Sequence, residues 1–245
     1  MNILFLVILL VVQQTGTFKA EQKKNARVKQ AYTDKEQAVS DSLAKYDIAM
    51  SKVQIFIRAF KKEEVLEVWA KNKEDKTYKK VRTFPICASS GELGPKRQEG
   101  DYQVPEGFYY INHFNPYSNF YLSMGISYPN DSDRKLGTKG KLGGAIYIHG
   151  SCCTIGCIPI TDDMIKELYI YGVEAKNNGQ TQIPCHVFPF RMDGDNWDNF
   201  ASKFPQYKKH IDFWKNIQPG YQYFEKNKTL PKITVAADGK YVVGG

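Results

Sequence analysis

The segment Ile146–Ile160, IYIHGSCCTIGCIPI, gathers His149, Cys152, Cys153 and Cys157 within fifteen residues. Three chemistries use such a set. In the first, a thiol attacks a carbonyl carbon. An unperturbed thiol is only a few per cent ionised near neutrality, so it needs a base such as an imidazole within reach. The attack also builds charge on the carbonyl oxygen, which needs main-chain N–H donors nearby. His149 is followed by Gly150, and Gly156 directly precedes Cys157, where a glycine permits a tight turn. The second chemistry is a structural zinc held by four ligands. Adjacent Cys152 and Cys153 fit one tetrahedral centre poorly, and no second cysteine pair at the usual two-residue gap is present. The third is redox: Cys152 and Cys153 pair with each other, or one pairs with Cys87 or Cys185. Five cysteines leave at least one thiol unpaired within the chain.

The flanking sequence must position this cluster. Val53–Phe60 alternates apolar and polar in part, and with Glu64–Ala70 it reads as a β-hairpin, followed by a third strand near Lys80–Cys87. Gly107–Asn112, Phe120–Ser127, Ala145–His149 and Ile183–Met192 carry the aromatic and β-branched bias of further strands. Gly-, Pro-, Asn- and Asp-rich loops separate them. Thr161 is a candidate N-cap for a helix over Asp162–Gly172, with Gly172 at its end. Helical character also marks Asn25–Ala49, Trp197–Phe204 and His210–Ile217. KITVAADGKYVV closes the chain as a short strand with a turn at Asp238-Gly239.

The first twenty residues read as a secretory signal peptide. Their apolar run, Ile3–Val12, is about ten residues, half of the ~20 that span a bilayer as a helix. Export to the periplasm or cell envelope is the expectation, with membrane contact only through that transient leader. The net charge of +8 is spread over scattered lysines without a basic helix or a nucleic-acid motif. Nucleic acid is therefore not the expected partner, whereas an anionic exported polymer such as a cell wall is compatible.

The run Thr154-Ile155-Gly156-Cys157, with His149-Gly150 upstream, resembles the active-site motif of the L,D-transpeptidase catalytic domain family (YkuD-type). Gly94–Ile111, Asn115–Arg134, Val187–Met192 and Asp212–Glu225 are similar to elements of its YafK-like murein L,D-transpeptidase branch, and the likeness covers about Lys45 to Val243. Two features depart from the family pattern. Ile155 stands where many members carry a histidine, and the loop from His149 to Cys157 is short.

The resemblance implies an α+β, β-dominated fold: an L,D-transpeptidase-like β-sandwich with peripheral helices. With the leader (1–20) and the N-terminal helical segment (21–50) read from the residues, it marks a catalytic domain (51–193) and a C-terminal extension (194–245). It makes Cys157 the nucleophile and His149 its base. Main-chain N–H groups near Gly156 and Cys157 would form the oxyanion hole, and the carbonyl at Gly150 would orient the imidazole. Ser151, Thr154, Arg134, Arg191 and Tyr128 are expected to contact substrate. Set against these roles stand an ion pair of Arg134 with Asp131 or Asp133, a structural ion pair for Arg191, and sheet packing for Tyr128. The implied activity is attack on L,D-type bonds of peptidoglycan stem peptides through a Cys157 thioester. Transfer to an amine or to water, including release of a wall-linked protein, follows, with no metal or organic cofactor. The competing functions are a non-catalytic wall-binding module and a zinc-stabilised interaction domain.

Overall fold

The computed structural model describes residues 17–194 and 196–244. The expected leader, with its apolar run Ile3–Val12, lies outside the described residues except for its last few positions. Among the described residues no helix is long and apolar enough to cross a membrane.

Eight strands form one mixed sheet: β1 (Val53–Phe60), β2 (Val65–Asn72), β3 (Lys79–Pro85), β4 (Gly107–Asn115), β5 (Ser123–Ile126), β6 (Tyr147–His149), β7 (Ile158–Pro159) and β8 (Ile183–Phe188). Their order is β3-β2-β1-β8-β4-β5-β6-β7. The pairs β1–β8 and β6–β7 are parallel, and the remaining pairs are antiparallel. The two ends of this order come together in space. The Cys87 N–H, just past β3, donates to the Pro159 carbonyl of β7 at 3.0 Å, and Cys87 is disulfide-bonded to Cys152. The sheet therefore curls round a core that includes Ile57, Val68, Met124, Ile148 and Ile158.

The partial alternation of β1 suggests one wet face, yet both faces are buried. Ile55, Ile57 and Ala59 join the inner core, while Phe56 and Phe60 pack under aromatic residues of α6 (Ile211–Asn227). Arg58, the polar position, is 1% exposed. It is tolerated because it pairs with Glu67 at 2.8 Å and Glu225 at 2.7 Å, and lies over the rings of Trp69 and Phe224.

Helix α2 (Ala26–Ala44) is capped by the Asn25 side chain and packs on α4 (Asp162–Asn177), where the Tyr32 hydroxyl donates to Glu174 at 2.7 Å. The expected span to Ala49 is cut short by a left-handed turn at Asp47, φ 58°. Helix α4 starts at its predicted cap, Thr161, but continues past Gly172 to Asn177. Gly172 marks a close contact: a Cβ there would lie 2.8 Å from the Phe114 ring and 3.0 Å from the Met124 sulfur. The loop before β6 contains a short helix, α3 (Asp131–Leu136), closed by an Asn130–Asp133 capping box. The C-terminal strand reading resolves into a hairpin, β9 (Lys232–Val235) with β10 (Tyr241–Gly244), turning at the expected Asp238-Gly239.

Candidate active site

The site is built on β6 and β7. Their parallel register pairs Ile148 with Ile158 and His149 with Pro159. Extended by one residue, it sets Cys157 beside Tyr147, so His149 and Cys157 belong to one face. With strands ~4.8 Å apart and ~3.3 Å per residue, their Cα atoms are about 8 Å apart. The chain turns sharply in two places: after His149, at the end of β6, and before Cys157, at the start of β7. A Cβ on Gly150 would strike the Asp162 carboxylate, and would lie 2.8 Å from the Phe120 carbonyl, so the turn after His149 needs a glycine. Gly156 has φ 128°, a region closed to ordinary side chains, with its Cα packed toward the Gln103 carbonyl.

His149 is 1% exposed and stacks on Phe120 with centroids 4.5 Å apart. Its Nδ1 is bonded to the Gly150 carbonyl, as the resemblance implies. With Nδ1 donating, Nε2 carries the lone pair. Burial pushes the imidazole below its ordinary pKa, against the raising effect of that carbonyl, so the ring is neutral near pH 7.

Cys157 is a free, partly buried thiol. Burial pushes its pKa up, while the Tyr147 main-chain N–H and the positive charge of Lys96 pull it down; Cys153 adds to the rise. Sγ donates to the Ala145 carbonyl at 3.8 Å, toward the start of β6, whereas the imidazole stands at its end. The two groups share a face but are not hydrogen-bonded to one another. The resting pair is a neutral thiol beside a neutral imidazole.

Thr154 organises the turn that carries Cys157. Its hydroxyl oxygen accepts from the Gly156 N–H at 3.1 Å and the Cys157 N–H at 2.8 Å, and donates to the Cys157 carbonyl at 2.8 Å. This corrects the expected oxyanion hole: those two main-chain donors are already engaged. It also gives Thr154 a backbone-holding role in place of substrate contact. Ser151, left-handed at φ 63°, donates its N–H to Asp162 at 2.8 Å, which ties the turn after His149 to the first turn of α4.

The other expected substrate contacts are engaged elsewhere. Arg134 is exposed on α3 and pairs with Asp131 at 3.3 Å. Arg191 pairs with the buried Glu67 at 2.8 Å and lies 4.5 Å over the Phe60 ring. The Tyr128 hydroxyl donates to the Leu142 carbonyl at 3.0 Å, and its ring is buried beside Tyr109. The cysteine pairing left open by the sequence is Cys87–Cys152, with Cα atoms 5.4 Å apart. Cys152 is thereby removed as a zinc ligand. Cys153 is free and exposed, and Cys185 is buried with its thiol pushed up to about 12.

The sequence did not single out Lys96. It is 4% exposed and bonded to Asp101 at 2.6 Å and the Gln98 carbonyl at 2.9 Å. Asp101 also accepts from the N–H groups of Arg97, Gln98 and Gln103, which fixes the loop whose Gln103 carbonyl faces Gly156. In the sequence it falls within Gly94–Ile111, one of the stretches similar to the YafK-like branch. Cys157 also lines a cleft of about 380 Å³ between the loop after β3 and the aromatic residues Phe200, Phe204 and Tyr207.

Comparison with known proteins places this arrangement in a family. The L,D-transpeptidase catalytic domain family (YkuD) matches residues 54–176. "Putative L,D-transpeptidase YafK" of Escherichia coli (strain K12) is 37% identical over 191 residues, covering 77% of this chain and 73% of that protein. The chain belongs to the L,D-transpeptidase catalytic domain family. Among solved structures, the helical cell shape determining protein Pgp2 from Campylobacter jejuni aligns with TM-score 0.45 and 17% identity, over 76% of this chain and 73% of Pgp2. Mycobacterium tuberculosis L,D-transpeptidase 1 aligns with TM-score 0.31 and 17% identity, over 56% of this chain and 62% of that one.

Proposed function

We propose that this chain is an exported, cysteine-dependent enzyme of the cell envelope that acts on L,D-type bonds of peptidoglycan stem peptides. The observation that carries the reading is the presentation of a free thiol, Cys157, and a neutral imidazole, His149, on one face of two adjacent parallel strands, with the thiol among the residues that line a cleft. Family membership supplies the substrate class.

The chemistry follows from the resting state. Rotation about the Cys157 Cα–Cβ bond carries Sγ from the Ala145 carbonyl toward His149. Nε2 takes the thiol proton as sulfur bonds to the substrate carbonyl carbon. The tetrahedral adduct expels the amine, which takes the proton back from the imidazolium, and a Cys157 thioester remains. An incoming amine or water, deprotonated by His149, then releases the acyl group and restores the thiol. With an amine the product is a cross-link; with water it is a shortened stem or a released wall-linked protein. No step calls for a metal or an organic cofactor.

The test is acylation of the thiol by a carbapenem, mapped by peptide mass spectrometry because Cys153 is also free and exposed. The expected label is on Cys157, absent in Cys157→Ala and much slowed in His149→Ala. Purified sacculi incubated with the protein should give new muropeptides by mass spectrometry. Unchanged processing of sacculi by both variants would end the catalytic reading. Binding to sacculi without any turnover would favour a non-catalytic wall module.

A further inference from the structure

The cleft beside Cys157 has a composition that narrows what enters it. One wall is the loop after β3, with Ser89 and Glu92; the other is aromatic, with Phe204 and Tyr207 from the C-terminal extension. Its volume, about 380 Å³, lies in the range of ~300–1,000 Å³ typical of sites for small molecules and short peptide segments.

Two lysines line it, and they differ. Lys61 is spent on structure: its ammonium pairs with the buried Glu106 at 3.0 Å and also donates to the Gly94 and Val104 carbonyls. Lys62 is exposed, its ammonium lies 5.4 Å over the Phe204 ring, and among the described residues no carboxylate pairs with it. The ring restrains the side chain within the cleft without neutralising its charge. Glu64, the nearest acid in sequence that also lines the cleft, accepts from the Ser89 hydroxyl at 2.8 Å. Exposed Lys203, Lys208 and Lys209 neighbour Phe204 and Tyr207 in the chain, outside the lining of the cleft. A held, unpaired cation in a cleft that Cys157 also lines fits an anionic group on the substrate.

Resting on the acyl-transfer reading above, we propose that this cleft holds the donor peptide and that Lys62 binds its C-terminal carboxylate. Phe204 keeps the ammonium in place. Lys62 is then a specificity residue: it selects donors that end in a free carboxyl group near the attacked bond, and the C-terminal extension is part of the substrate site.

The experiment separates this from the catalytic reading by measuring binding to Cys157→Ala protein. A stem tetrapeptide with a free C-terminal carboxylate and the same peptide amidated at that terminus are titrated by calorimetry. The acid is expected to bind about tenfold or more tightly than the amide. Lys62→Glu should abolish the difference, and Lys62→Arg should retain most of it, with thermal melts reporting that each variant is folded. In the active protein, Lys62→Glu should raise KM for the acid donor while largely sparing kcat. Equal binding of acid and amide, no binding of either, or a preference that survives Lys62→Glu would overturn the assignment. If the Cys157→Ala protein discriminates as expected while the parent never turns over a peptide, the carboxylate site stands and the acyl-transfer reading falls.

Discussion

The Thr154 hydroxyl brackets the Cys157 peptide: it accepts from the Cys157 N–H at 2.8 Å and donates to the Cys157 carbonyl at the same distance. One side chain thus fixes both main-chain polar groups of Cys157.

Thr154→Val keeps the shape of the residue and removes these bonds. Its expected cost is about 1–3 kcal/mol of stability, from partly buried groups left unpaired. Acylation at Cys157 should slow by tenfold or more, and Thr154→Ser should restore most of it. Denaturant unfolding and the rate of carbapenem labelling measure the two effects.

Cys87–Cys152 ties the loop that walls the cleft to the turn after His149, closing a sequence separation of 65 residues. The Cys87→Ala/Cys152→Ala pair should lose about 2–4 kcal/mol. For a chain of this size that corresponds to a drop in melting temperature of roughly 5–15 °C. Thermal melts with and without reductant should show the parent, when reduced, approaching the variant.

Lys96 acts on the thiol through charge. Cys157 reacts as thiolate, and burial already raises its pKa while the Lys96 charge opposes the rise. Lys96→Met should therefore move the pH profile of Cys157 alkylation further to the alkaline side, and Lys96→Arg should hold it near the parent's. Alkylation rates from pH 6 to 10, with the labelled site identified by mass spectrometry, decide this. Coincident profiles for parent and Lys96→Met would remove Lys96 from the site.

His186 predicts a pH effect on stability. It is buried among Phe56, Phe108 and Phe188, its Nδ1 has no hydrogen-bond partner among the described residues, and burial with the nearby Arg58 charge pulls its pKa down to about 3. The unfolded chain therefore binds the proton more tightly, and stability falls as pH drops from about 6.5 toward about 3. His186→Leu lacks this loss. Whatever its stability at pH 7, its melting temperature should rise relative to the parent's as pH is lowered from 7 to 5.

Much of the scaffold is legible because strands with β-branched and aromatic bias, bounded by turn residues, are local signals. β1, β2 and the Thr161 cap of α4 fall where the sequence predicts. Other features depend on distant contacts. Gly172 reads as a helix end until Phe114 and Met124 are seen to need its missing side chain. The burial of Arg58 in a partly alternating strand depends on α6, which covers that face and supplies Glu225. Arg134 and Arg191 have the right chemistry for a carboxylate, but Asp131 and Glu67 already occupy them.

The sequence alone determined the residue types of the candidate site: a thiol after glycine, a histidine before one, and a threonine three residues ahead of the thiol. Residue type and short spacing are covalent facts, so these needed no coordinates. Only the tertiary structure decided the rest. Sheet curling brings Cys87 to Cys152, leaving Cys153 and Cys157 as free thiols beside the site. Packing of the 96–103 loop sets Lys96 close enough for its charge to act on Cys157, and the C-terminal aromatics close a cleft around Lys62. Pairing, burial and charge proximity arise from contacts between segments far apart in the chain, which no local pattern encodes.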